Sequence, residues 1–129
     1  RAVISTIIIQ ALKGKIINLG NINSTRDFTF IDDTVDAYIK CINNKKIVGQ
    51  TFNLGTGCEI SIKEVVYLVS KILNKKLKIK NDSKRMRPKK SEVNRLVSDN
   101  SKSKKLLNWK PNYNGIKGFQ KGLINAGSF

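Results

Sequence analysis

A chain of 129 residues is one domain's length, and 40% apolar side chains with only two prolines suit a packed core rather than a disordered tail. Its 25 Lys+Arg outweigh nine Asp+Glu for a net charge of +16, and histidine is absent. That excludes the common zinc sites and every His-based triad or general base, and two cysteines, Cys41 and Cys58, are too few for a disulfide framework.

In chain order, Ile4, Ile7, Ile8 and Ala11 recur at i, i+3, i+4 and i+7, which predicts an amphipathic helix ending near Gly14. Ser5, Thr6 and Gln10 interrupt this stretch, which falls short of the ~18–20 apolar residues of a membrane span. No small-residue cleavage site follows, and Lys13 and Lys15 come next, so no signal peptide is read and the chain is expected to be cytoplasmic. Because it opens on Arg1 and enters a helix at once, it is also expected to be a piece of something longer.

Ile16-Ile17-Asn18-Leu19 predicts a short strand closing on Gly20, and Asp27-Phe28-Thr29-Phe30 alternates into a second after a turn-rich stretch. Asp32 and Asp33 then stand where a helix N-cap belongs, with Val35, Ile39 and Ile42 as that helix's apolar side. Thr51-Phe52-Asn53-Leu54 reads as a strand, turned sharply by Gly55-Thr56-Gly57. Ser61-x-x-Glu64 is a capping box, and Val65, Leu68, Val69, Ile72 and Leu73 form the stripe of the helix it starts.

Leu77 to Lys80 alternates as a strand, and residues 81–95 read as a polar, basic loop. Asp99 caps a predicted helix through Leu107 that stops before Trp109 and Pro111, and a last helix covers about 116–124. The class is therefore α/β, with about five helices and an incomplete sheet of three or four short strands. The apolar faces of helices 32–43 and 61–74 are expected to be exposed, awaiting a sheet that this chain does not contain. No linker divides residues 1–129.

Few motifs carry chemistry. Gly55-Thr56-Gly57 lacks the third glycine of a dinucleotide fingerprint, since position 60 is Ile60 and the helix starts only at Ser61, so it reads as a tight turn. Lys84, Arg85, Arg87, Lys89, Lys90 and Arg95 crowd one loop around Pro88, with Glu92 as its only acid. Such a loop can clamp phosphates or be a solvated charge run. The bases are concentrated after Ile62, but lysine, isoleucine and asparagine are all over-used, as an AT-rich coding sequence favours, so drift on solvated faces weighs more than a purpose-built polyanion surface. Tyr67 with Lys71 and Tyr113 with Lys117 have a Tyr-x-x-x-Lys spacing. Neither is read as catalytic, because Tyr67 is placed on the apolar side of its helix and Tyr113 in a loop.

Four ordered motifs together carry a resemblance. They are Leu19-Gly20-Asn21-Ile22-x-x-x-Arg26-Asp27-Phe28 followed by Asp32-Asp33; Phe52-Asn53-Leu54-Gly55-Thr56-Gly57 with Ser61-Ile62; Arg87-Pro88-x-x-Ser91-Glu92-Val93; and Asp99-x-Ser101-Lys102-x-x-x-Leu106-Leu107-x-Trp109-x-Pro111. From Arg1 to about Leu123 the chain resembles the C-terminal half of an extended short-chain dehydrogenase/reductase of Rossmann type, in the NAD-dependent nucleotide-sugar epimerase/dehydratase family. The long turn before Arg26 and the Arg-Pro-x-x-Ser-Glu-Val form are more similar to 4,6-dehydratases, of the legionaminic-acid-pathway or GDP-mannose 4,6-dehydratase type, than to epimerases.

The resemblance implies that Arg26 and Arg87 contact the diphosphate of a nucleotide sugar and that Glu92 accepts hydrogen bonds from ribose hydroxyls, with Asn18, Leu19 and Asn21 near the base. It assigns no catalytic, cofactor-binding or metal-binding residue to this chain. NAD (or NADP) and the catalytic Tyr-x-x-x-Lys belong to an N-terminal Rossmann half that is absent here. Residues 1–129 are then a single C-terminal nucleotide-sugar-binding segment, inactive alone. The parent reaction would be oxidation at C4, loss of water across C5–C6 and return of the hydride. A UDP-linked amino sugar is the favoured ligand, with GDP- or dTDP-sugars as alternatives; the parent is expected to be a homodimer without a membrane partner. Two other readings stay open: a 4-epimerase of the same family, and a basic, non-enzymatic nucleic-acid-binding protein acting through residues 63–110.

Overall fold

Five helices and five short strands follow one another along the residues that the computed structural model describes, 2–86, 88 and 91–127. They are α1 (Val3–Lys13), β1 (Ile16–Leu19), β2 (Thr25–Arg26), α2 (Ile31–Ile42), β3 (Ile60–Ser61), α3 (Ile62–Ile72), β4 (Lys78–Asn81), β5 (Arg95–Leu96), α4 (Ser101–Leu107) and α5 (Gly115–Ala126). None of these helices is long and apolar enough to cross a membrane. The chain divides into two compact units, one of residues 2–26 and 60–95, the other of 27–59 and 96–127.

In the first unit α1 turns Ile7 and Ala11 inward, as its period predicts, and packs on α3. The capping box starts α3 as read: Ser61 Oγ accepts from Glu64 N–H at 3.2 Å, and Glu64 Oε2 accepts from Ser61 N–H at 2.8 Å. These bonds satisfy donors that a helix start otherwise leaves open. Ile62, Val65, Val66, Leu68 and Val69 are buried, so the α3 stripe is covered within this unit and awaits no further sheet. Tyr67, read as part of the apolar side, instead faces solvent, because it lies across the helix from Val65 and Val69; Lys71 Nζ sits 4.9 Å from its ring centre.

Strands β1 and β4 pair in parallel, Ile16 opposite Lys78 and Leu19 opposite Asn81, with Ile17 and Leu19 buried beneath. Asp82 N–H continues the ladder onto the Leu19 carbonyl at 2.8 Å. Strand β2 pairs antiparallel with β3 in a second short sheet of order β3-β2-β5.

In the second unit the predicted strands at 27–30 and 51–54 are not ladders. Phe28 and Phe30 alternate because they pack on aromatic partners: their ring centres lie 5.1 Å from Phe119 and 4.3 Å from Tyr113. Along 51–54 the Asn53 carbonyl accepts from Ser103 Oγ of α4, and just beyond the stretch the Gly55 carbonyl accepts from Asn100 Nδ2 at 2.7 Å.

The expected Asp32–Asp33 cap is corrected as well. Helix α2 begins at Ile31, and Asp33 is wholly buried in its first turn, accepting from the N–H groups of Asn112 at 2.7 Å and Tyr113 at 3.0 Å. The Asp33 carbonyl takes the indole N–H of the buried Trp109 at 3.0 Å. Asn100, not Asp99, occupies the cap position of α4, while Asp99 accepts from Ser101 N–H at 3.0 Å, and these Ser101 bonds hold its carboxyl below the usual range.

Helix α2 buries Asp33 and Ala37 against Ile47, Leu107 and Trp109. The residues read as its apolar side point elsewhere: Val35, Ile39 and Ile42 are 47, 52 and 81% exposed. The expectation of an uncovered apolar face thus holds for α2 and fails for α3.

Candidate functional site

A cavity of about 620 Å³ opens in the first unit. Its walls come from five places in the sequence that packing brings together. Val3 and Thr6 arrive on α1, and Ile62 on the first turn of α3. Leu19, Gly20 and Asn21 form the end of β1, where Asn21 Oδ1 accepts from Asn23 N–H at 3.0 Å and its carbonyl from Ser24 Oγ. This side-chain-stabilised turn delivers the chain into β2 and presents Arg26 to the cavity.

Arg26 and Glu92 meet here across 66 positions of sequence. Arg26 Nη1 donates to the Thr25 carbonyl at 2.7 Å, and Nη2 lies 4.0 Å from Glu92 Oε1. Both side chains are mostly covered, 22 and 17% exposed. At 4.0 Å the pair is loose: it compensates charge without using up the guanidinium's remaining donors or the carboxylate's lone pairs.

The fourth wall is the turn after β4. Asp82 caps it, Oδ1 accepting from Lys84 N–H and Oδ2 from Arg85 Nε, both at 3.1 Å. The turn lies so close to β1 that a Cβ on Gly20 would stand 2.6 Å from the Arg85 carbonyl oxygen, a contact that requires glycine.

Of the residues singled out from sequence, Leu19, Asn21, Arg26 and Glu92 line this one cavity. Asn18 is not on its wall: its N–H and Nδ2 donate to Gln10 Oε1, fastening β1 to α1. Arg87, with Lys89 and Lys90 of the same loop, lies outside the described residues. Val3, Thr6, Ile62 and Asp82 had not been read as site residues, since only tertiary packing places them. Asp82 alone carried a local signal, an Asx cap opening a basic run.

The Gly55-Thr56-Gly57 turn, in the second unit, already has an anion. Asp27 Oδ1 accepts from Thr56 N–H at 2.9 Å and from its hydroxyl at 2.6 Å, and Oδ2 accepts from Gly57 N–H at 2.9 Å and Ser98 N–H at 3.2 Å. A dinucleotide pyrophosphate would need those same N–H groups, so this turn does not fit one.

The sequence matches the family described as GDP-mannose 4,6 dehydratase over residues 1–121. It is 39% identical over 101 residues to the uncharacterized protein MJ1055 of Methanocaldococcus jannaschii, covering 78% of this chain and 29% of that protein. It is 33% identical over 101 residues to the CDP-abequose synthase of Salmonella typhimurium, covering 76% of this chain and 33% of that enzyme. Among solved structures, the UDP-glucuronic acid 4-epimerase of Bacillus cereus, in complex with UDP-glucuronic acid and NAD, superposes with a TM-score of 0.80 at 27% identity, over 95% of this chain and 37% of that one. The chain spans about a third of the length of such relatives.

Proposed function

The chain belongs to the GDP-mannose 4,6 dehydratase family, whose relatives include nucleotide-sugar dehydratases, epimerases and reductases of extended short-chain dehydrogenase/reductase fold, and on that premise we propose that it forms the nucleotide-holding portion of an NAD(P)-dependent nucleotide-sugar 4,6-dehydratase. One observation carries the reading: four residues chosen from sequence motifs, Leu19, Asn21, Arg26 and Glu92, line a single cavity of about 620 Å³, a size that suits a nucleotide.

The chemistry follows from the donors present. A diphosphate offers Arg26 a closer, bidentate and more highly charged partner than Glu92 does at 4.0 Å. Released from that pairing, Glu92 is an acceptor-only group suited to ribose hydroxyls. Leu19 supplies an apolar edge and Asn21 backbone and amide groups at the mouth of the turn, where a base would lie. Arg87 is proposed as a second diphosphate ligand on its motif alone.

A nicotinamide cofactor would supply the redox chemistry of such a reaction. The residues here do not fit it, because Asp27 fills the one Gly-x-Gly turn. Catalysis is therefore assigned to the part of the relatives that this chain does not span, and the chain alone is expected to bind without turnover. The dehydratase assignment rests on the long turn before Arg26 and on the Arg-Pro-x-x-Ser-Glu-Val form; the likeness to the UDP-glucuronic acid 4-epimerase favours the second reading, a 4-epimerase. A UDP-linked sugar, a cytoplasmic setting and a homodimeric parent belong to the same proposal.

Calorimetric titration of the chain with UDP and GDP tests it. Saturable binding that Arg26→Ala and Glu92→Ala each weaken about tenfold or more is expected. Binding that no variant alters, or none at all, refutes the reading.

A further inference from the structure

The lining charges do not cancel. Arg26 faces Glu92, and Arg85 is bound to Asp82, which leaves Lys84. Its backbone N–H is fixed on Asp82, but among the described residues its ammonium has no hydrogen bond or ion pair. The turn that bears it is firmly placed. Asp82 N–H donates to the Leu19 carbonyl at 2.8 Å, Met86 N–H closes onto the Ser83 carbonyl at 3.1 Å, and the Arg85 carbonyl rests on the bare Cα of Gly20. Arg85 is thereby spent on the turn's own structure, while the neighbouring cation stays free for a ligand.

We infer that the turn from Asp82 to Met86 is a second anion-binding arm of this cavity, with Lys84 as its contact to the diphosphate of a bound nucleotide and Gly20 as the residue that positions it. The inference rests on the nucleotide reading above and picks out, from the basic loop read as a phosphate clamp or a solvated charge run, a contact that the four family motifs do not contain. A diphosphate linking two sugars carries two negative charges. Arg26 supplies one positive charge, and among the described lining residues Lys84 is the cation left to meet the second. Lysine suits that place: it is a point charge on a flexible stem and reaches a phosphate oxygen without the fixed geometry a guanidinium imposes.

The test is titration of the 129-residue chain with UDP and, separately, GDP at low ionic strength. Lys84→Ala is expected to weaken both nucleotides by about three- to tenfold, as for a charge-assisted contact that stays partly solvated. Lys84→Arg restores binding, and Lys110→Ala, on an exposed site elsewhere, leaves it unchanged. Gly20→Ala weakens binding too, and by less when Lys84 is already alanine, because the two act through one contact. Lys84→Ala binding both nucleotides as tightly as the wild type overturns the inference, as does a loss confined to one base. The Lys84 arm decides even where Gly20→Ala unfolds the turn, since it removes only an exposed side chain. If Arg26→Ala abolishes binding and Lys84→Ala does not change it, this inference alone falls; if the wild type binds neither nucleotide, the reading beneath it falls as well.

Discussion

Replacing Asp27 by asparagine removes one carboxylate oxygen and puts an amide NH₂ in its place. In the wild type, Oδ1 serves the Thr56 N–H and hydroxyl, and Oδ2 serves the N–H groups of Gly57 and Ser98. With the amide nitrogen at the Oδ2 position the Gly57 and Ser98 N–H groups face a donor; with it at the Oδ1 position the Thr56 N–H does, while the Thr56 hydroxyl can turn to accept. Bonds to a charged acceptor contribute about 1.5–3 kcal/mol each, and an exposed partner such as Gly57 brings the sum down, so the loss is about 2–4 kcal/mol. Against a typical domain stability of about 5–15 kcal/mol, that is a large fraction. Trp109 is the only tryptophan and is buried in the same unit, so its emission reports unfolding there. With a urea dependence of about 1–3 kcal/mol per molar, the midpoint is expected to fall by roughly 1–2 M. Asp36→Asn, which breaks only an exposed i,i+4 pair with Lys40 at 3.9 Å, is the control and is expected to cost under about 0.5 kcal/mol. An Asp27→Asn midpoint indistinguishable from that of Asp36→Asn refutes the account of the turn.

The capping box makes a prediction with a pH sign. Hydrogen bonds from the Ser61 side chain and backbone hold the Glu64 carboxyl below the usual range, so its contribution is complete above the unfolded pKa of about 4.3 and is lost as pH falls through the lower folded value. Glu64→Ala, costing about 0.5–1 kcal/mol at neutral pH for so exposed a carboxylate, is expected to converge with the wild type below about pH 4 in thermal melts; a gap that persists at pH 2 contradicts this. Ile42 is 81% exposed, so Ile42→Lys is expected to change stability by less than about 0.5 kcal/mol while reducing the binding of an apolar dye. Destabilisation of 2 kcal/mol or more would mean that the side chain is packed.

What the sequence disclosed was local. The i, i+3, i+4, i+7 apolar spacing of α1 and the Ser61–Glu64 box each declare a helix within a few residues, and both formed as read. The alternation at 27–30 misled because period two also arises when one chain lays two aromatic rings on a helix and its flanking loop, as Phe28 and Phe30 do. Asp33 misled because the preference of acids for helix starts says nothing of burial; its carboxylate serves amides some 80 positions away, a partnership that no local pattern encodes. The site divides the same way. Arg26 and Glu92 stood in recognisable motifs, whereas Asp82 and Lys84 reach the cavity only through the parallel pairing of β1 with β4, and Val3 and Thr6 through the packing of α1 on α3.

The interleaving of the two units sets an order of assembly. Residues 2–26 must wait for 60–95, and residues 27–59 for 96–127. Each closure spans an intervening segment and costs about 3 kcal/mol in loop entropy before any contact repays it. During synthesis at about 5–20 residues per second, the partners of the first unit are all present some seconds before α5 emerges. The cavity wall can therefore form while α2 and Asp33 are still without the Trp109 segment they enclose. On the proposed function, a nucleotide would meet this cavity on a nascent chain whose other unit has yet to close.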